Sequence, residues 1–172
     1  MTEKPGADDL LAIRDAFGAA LAGGQPLDAA LDRVLAATSS RAVGLWRLQG
    51  DRLLLLGFRG VPDMAPNTAQ DFEAATREVP LVNTGFGIVQ ASLQQRSIPA
   101  YRGDSALPAS AGWIERFGAA QSLSAPAVRD GRVVGVLAVS APSAFHPGSP
   151  TWSLIERLAE ALGPTLARID GK

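Results

Sequence analysis

Gly85-Phe86-Gly87 stands just ahead of Ile88, Val89 and Leu93, an apolar set spaced as a helix. Glycines there could open a phosphate-binding loop, because their backbone approaches a phosphate closely and a helix N-terminus favours an anion. The dinucleotide pattern needs a third glycine where Gln90 stands, so the pair reads instead as a turn into the helix that uses glycine's freedom. The single histidine, His146, sits between Phe145 and Pro147 in a turn. A transition-metal site usually takes several His or Cys ligands, so no metal ligand set is expected. Cysteine is absent, which removes disulfides, thiolate metal sites and thiol catalysis together.

Gly103-Asp104-Ser105-Ala106-Leu107 resembles the motif of a lipase-like hydrolase family, in which the serine needs a histidine base nearby. His146 has no aspartate three residues before it and lies in a separate turn. The segment therefore reads as a solvated loop, no catalytic residue is assigned, and the chain is not expected to be an enzyme.

The elements that must position any site follow from periodicity and punctuation. Residues 1–7 read as a flexible tail, ahead of a single domain over 8–170. A first helix over 8–24, capped by Asp8 or Asp9, carries Leu10, Ile13, Phe17 and Leu21 on one face and ends at Gly23-Gly24. A second helix starts at Pro26, places Leu27, Leu31, Val34 and Leu35 on one stripe and runs to Thr38. Ala42 to Leu48 and Arg52 to Phe58 form a strand pair about Gly50, covered on both faces. Short helices over 69–77 and from Gly85 or Gly87 to Gln95 alternate with extended segments at 79–81 and 97–101.

A loop over 102–112 leads to a helical turn at Trp113 to Phe117. Two apolar runs then flank Asp130-Gly131, a pair that supplies the two positive φ angles of a type I′ hairpin turn. A last helix from Ser149-Pro150 to Ile169 repeats Ile155, Leu158, Leu162, Thr165 and Ile169 at spacings of three and four. Pro164 inside it predicts a kink or break at a cost of about 3 kcal/mol.

Of the 172 residues 47% are hydrophobic, enough for one core and not for two. Sixteen basic and 17 acidic side chains are scattered rather than clustered, so no nucleic acid partner is expected. No apolar stretch approaches the roughly 20 residues of a membrane-spanning helix. Glu3, Lys4, Asp8 and Asp9 do not make a secretory signal, so a cytoplasmic protein is expected.

Three segments, in this order and spacing, resemble the GAF domain family of small-molecule sensors over residues 27–168. The first is Val79-Pro80-Leu81 with Gly85-Phe86-Gly87-Ile88-Val89 and Arg96-Ser97-Ile98. The second is Ser122-Leu123-Ser124-Ala125-Pro126, and the third is Gly135-Val136-Leu137 running on to Phe145 and a Leu/Ala-rich helix. The resemblance implies an α+β fold, with a central antiparallel sheet of five or six strands. Terminal helices cover one face, and short helices and loops form a pocket on the other. The acidic residue usual at the start of the closing helix is replaced by Ser149-Pro150-Thr151, which keeps the cap.

The resemblance further implies that Phe58, Phe72, Phe86, Tyr101 and Trp113 lie in or beside the pocket segments, with Arg59, Tyr101, Ser122 and Ser124 as its polar groups. The same aromatics could instead fill the core. Without cysteine there is no covalent bilin and no reduction of free methionine sulfoxide as in the family's reductases, and the Asn-Lys…Phe-Asp-Glu pattern of cyclic-nucleotide-binding members is missing. The expectation is a sensory or regulatory domain with an unidentified small organic ligand and no other cofactor. It would signal through its terminal helices as a homodimer to a partner protein or output domain, with segments 59–78 and 102–118 moving. The alternative is a ligand-free dimerisation or interaction module with a filled pocket.

Overall fold

The computed structural model describes residues 7–170. Residues 1–6 of the expected tail lie outside the described residues, and Ala7 is already helical. Two helices, α1 (Ala7–Ala22) and α2 (Asp28–Thr38), precede the hairpin of β1 (Ala42–Gln49) and β2 (Arg52–Gly60). Then come α3 (Pro66–Thr76), β3 (Glu78–Pro80), α4 (Gly87–Gln94), β4 (Ile98–Tyr101) and α5 (Pro108–Arg116). The hairpin of β5 (Gln121–Arg129) and β6 (Arg132–Ala141) and the long α6 (Pro150–Asp170) complete the chain. One sheet in the order β3-β2-β1-β6-β5-β4 holds all six strands, every neighbouring pair antiparallel. The α+β fold expected from the sequence is the fold observed.

Strand alternation divides the core in two. Val43, Leu45, Leu123, Leu137 and Val139 pack against Ile13 and Phe17 of α1, Leu31 of α2 and Ile155, Leu158 and Leu162 of α6. On the opposite face Trp46, Phe58 and Val136 meet Phe72 of α3, Ile88 and Val89 of α4 and Ile114 of α5. The stripes on the terminal helices are thus covered within one chain.

Helix starts moved where proline acts. Pro66 and Pro108 each occupy the first turn of a helix, where a missing N–H costs nothing. So α3 begins three residues before the expected Ala69, and α5 begins five before Trp113. By contrast α2 starts at Asp28, two residues after Pro26. The break expected in α6 is absent: the helix runs unbroken through Pro164. Ile155, Leu158, Leu162 and Leu166 are each at most 1% exposed, and at about 1.5–3 kcal/mol per buried side chain they outweigh the roughly 3 kcal/mol that proline removes. Leu166, rather than Thr165, continues the buried stripe.

Asp130 and Gly131 have φ of 53° and 75°, both positive as a type I′ turn requires. Gly131→Ala is expected to cost about 1–2 kcal/mol through left-handed strain, read as a lower urea midpoint at unchanged slope. Above the turn, Val128 faces Val133 but Ala127 faces Gly135, which leaves Val134 as an extra residue in β6. This bulge shifts every later pair by one position.

Candidate pocket on the inner sheet face

The floor of the candidate site is set by register. Ala42, Ser140, Ser122 and Ala100 form one row across β1, β6, β5 and β4, and Gly44, Ala138, Ser124 and Ile98 form the next. Most of these side chains are small, and the sheet alone leaves a hollow there. Phe72, Phe86, Trp113 and Phe117 roof it, while Trp46 and Ile88 close its sides. The outer edge of the Trp46 ring reaches over Gly44, where a Cβ would come within 2.5 Å of the indole.

The roof is an aromatic cluster about Phe72. Its ring stands 4.8 Å from Phe58, 5.0 Å from Phe117, 5.1 Å from Trp113 and 6.1 Å from Trp46, within the range of favourable aromatic pairs. The space left beneath is about 40 Å³. That holds a few waters, each needing about 10–15 Å³, whereas ligand sites usually measure about 300–1,000 Å³.

Hydrogen bonds tie the roof down. The Ser110 N–H donates to the Gly85 carbonyl at 3.2 Å, and the Gly87 N–H donates to Ser110 Oγ at 2.8 Å. The Gly87 N–H, the first of those a phosphate would use at the start of α4, is therefore already taken, which fits the turn reading of Gly85-Phe86-Gly87. Arg41 Nε donates to the Phe117 carbonyl at 2.5 Å, at the C-terminal end of α5. Trp46 Nε1 donates to the Thr76 carbonyl at the end of α3. Outside the roof, the Arg116 guanidinium lies 4.6 Å over the Trp113 ring and pairs with Asp71 of α3 at 2.8 Å.

The floor differs. Ser122, Ser124 and Ser140 line the cavity at 8%, 3% and 8% exposure, and their hydroxyls have no hydrogen-bond partner among the described residues. Every lining side chain is apolar, aromatic or a serine. The arrangement can stack and hydrogen-bond a guest, and it holds no titratable group for proton transfer.

Five of the expected residues come together here: Phe72, Phe86, Trp113, Ser122 and Ser124. Phe58 lies one layer back, behind Phe72 and Phe117. Tyr101 shares its row with Gln121 rather than with Ser122 and is 46% exposed, so strand alternation turns it away from the pocket. Arg59 pairs with Val43 on the α2 side and meets Asp32 at 2.8 Å and Asp28 at 3.8 Å. Its hydrogen bond to Asp32 holds the guanidinium still more firmly protonated. Ser105 and His146 are both exposed, and the His146 ring contacts its own neighbour's carbonyl, Pro147. Among the described residues no cluster of His, Cys, Asp and Glu could hold a metal ion.

Ser140 and Ser110 were not anticipated. A plain hairpin about Asp130-Gly131 places Val139 opposite Ser122; the bulge at Val134 puts Ser140 there instead. Ser110 lay in a segment that reads as loop until Pro108 is seen to start a helix.

Solved structures share this architecture. The GAF domain of a phosphoenolpyruvate-protein phosphotransferase from Acinetobacter is 18% identical with a TM-score of 0.66, covering 95% of this chain and 93% of that one. The GAF domain of nlh2 from A. aeolicus, in an inactive state, is 12% identical with a TM-score of 0.62, over 94% of this chain and 97% of that one. A free methionine-R-sulfoxide reductase from Neisseria meningitidis, in complex with its substrate, is 17% identical with a TM-score of 0.58, over 99% and 98%. No curated protein matches the chain in sequence. The sequence pattern that defines the GAF domain family matches residues 24–166, which covers every strand and the helices that roof the site, so the chain belongs to the GAF domain family.

Proposed function

We propose that this domain is a non-enzymatic sensory or regulatory module that takes a small organic ligand between the sheet and helices α3 to α5. Occupancy would reach the rest of the molecule by population shift between closed and open arrangements of that roof. The observation that carries the reading is the trio Ser122, Ser124 and Ser140, three serines of the inner sheet face that line one cavity and hydrogen-bond no other described side chain or backbone group there. Among the described residues no fully buried side-chain nitrogen or oxygen lacks a partner, so these hydroxyls keep solvent access and stand ready to bond what enters the cavity. A guest with polar atoms on its lower face can hydrogen-bond them.

Methionine sulfoxide reduction, the activity named for one similar structure, has no cysteine to run on in this sequence. The proposal includes a homodimer. With Ile13, Phe17, Ile155 and Leu158 covered within the chain, pairing would use the outer surfaces of α1 and α6, where Leu11 is 44% exposed.

The test is native mass spectrometry of protein purified from its source, with thermal shifts over a broad metabolite panel. A bound organic species, or a ligand that raises Tm, is expected; protein free of any adduct and a flat panel overturn the reading. One observation favours a second reading, a ligand-free interaction module: the residual space of about 40 Å³ beneath the aromatic cluster about Phe72. That module gives the flat panel.

A further inference from the structure

We infer that the guest is an uncharged, planar, hydrogen-bonding molecule, and that it enters by taking the place of the Trp113 indole. The inference rests on the ligand-binding reading above and specifies its chemistry. Charge is excluded by the lining: no acidic or basic side chain faces the cavity, and an ion buried there would lose its water without gaining a counter-charge. Among the described residues two cations touch the roof and both are engaged elsewhere: Arg116, over the Trp113 ring, pairs with Asp71, and Arg41, bonded to the Phe117 carbonyl, pairs with Asp63.

Planarity follows from the shape of the slot. Its floor is the sheet at Ser122, Ser124, Ala138 and Ser140, which carries only short side chains, and its ceiling is built of rings. The requirement for hydrogen bonding follows from the three serine hydroxyls, each of which donates and accepts. A fully apolar guest would shut them off from solvent without offering a partner, at about 1–3 kcal/mol for each hydroxyl left unpaired.

Size identifies the plug. About 40 Å³ is less than one aromatic ring needs, so something must leave. Trp46, Phe72 and Phe117 are buried at 1%, 8% and 3% exposure, whereas Trp113 and Phe86 are half-buried; Phe86 stands at the head of α4, which the Gly87–Ser110 and Ser110–Gly85 bonds hold, and Trp113 sits on α5, just after the loop at 102–107. Its contacts are rings on the inside and the Arg116–Asp71 pair on the outside. The indole is a planar group with one N–H, and a guest of the same outline inherits its place against Phe72 and Phe117. The Arg116–Asp71 pair then acts as the latch that favours the closed state.

The experiment uses the full chain and matched probes: indole against indole-3-carboxylate, benzamide against benzoate, uracil against orotate. Titration calorimetry and thermal shift are expected to show neutral members binding about a hundredfold or more tightly than their anions. Ser124→Ala should weaken benzamide or uracil by about fivefold, and Asp71→Asn should tighten neutral probes by lowering the cost of opening. In fluorotryptophan-labelled protein the chain's three tryptophans give three fluorine signals, and that of Trp113 should move toward its solvent-exposed position on binding. Anions binding as tightly as neutral partners overturn the inference and leave the sensor reading standing. An unmoved Trp113 signal at saturation overturns the plug. No binding of any probe, to wild type or to Asp71→Asn, overturns the inference; if metabolite panels are also flat, the sensor reading falls separately.

Discussion

Gly163→Ala is expected to destabilise the domain by about 3 kcal/mol, although the same exchange inside a helix ordinarily gains up to about 1 kcal/mol. Gly163 lies within α6 where the helix crosses β5, and a Cβ there would overlap the carbonyl oxygen of Val128 and stand 2.9 Å from its carbonyl carbon. Both are backbone atoms of a strand held by β6, so neither can swing aside. The helix must lift off the sheet, loosening Leu162 and Leu166 on either side, both fully buried. A loss of that size lowers Tm by about 6–12 °C in a chain of this length. Gly112→Ala is the control: it is exposed within α5 with open space around it, so it should leave Tm unchanged or raise it slightly. Equal behaviour of the two variants would refute the close approach.

Trp46→Ala carries the other large effect, about 3–5 kcal/mol. The side chain is 1% exposed, fills the space over Gly44, meets Phe72 edge-on and ties β1 to the end of α3 through Thr76. The milder Trp46→Phe keeps most of the packing and strands the Thr76 carbonyl, at about 1–3 kcal/mol. Urea unfolding separates the two losses, and near-ultraviolet circular dichroism of Trp46→Ala should show the ring cluster loosened. If Trp46→Phe proves as costly as Trp46→Ala, the hydrogen bond rather than the packing dominates.

The fold was readable because its strongest signals are local. Asp130-Gly131 dictates a hairpin, Gly23-Gly24 ends α1, and the spacing of Ile155, Leu158 and Leu162 gives α6 a buried stripe. The site was readable only in part, because it depends on parity. Phe72, Trp113, Ser122 and Ser124 could be assigned to the right segments, but which face a strand residue takes turns on a single position. The bulge at Val134 decides that Ser140 and not Val139 joins the serine row, and no residue type announces it. Tyr101 fails for the same reason, one position from the pocket-facing Ala100. Pro164 misled because a local cost of about 3 kcal/mol was set against burial that only the tertiary structure reveals.

The two outer strands of the sheet, β3 and β4, are three and four residues long, and each contains a proline, Pro80 and Pro99. A proline has no N–H to offer a newcomer, and so short a border gives an added chain little ladder to grip. Extension of the sheet from molecule to molecule, the usual first step toward fibrils, is therefore blocked at both borders. The two short borders thus leave the sheet itself a poor template for growth at high concentration.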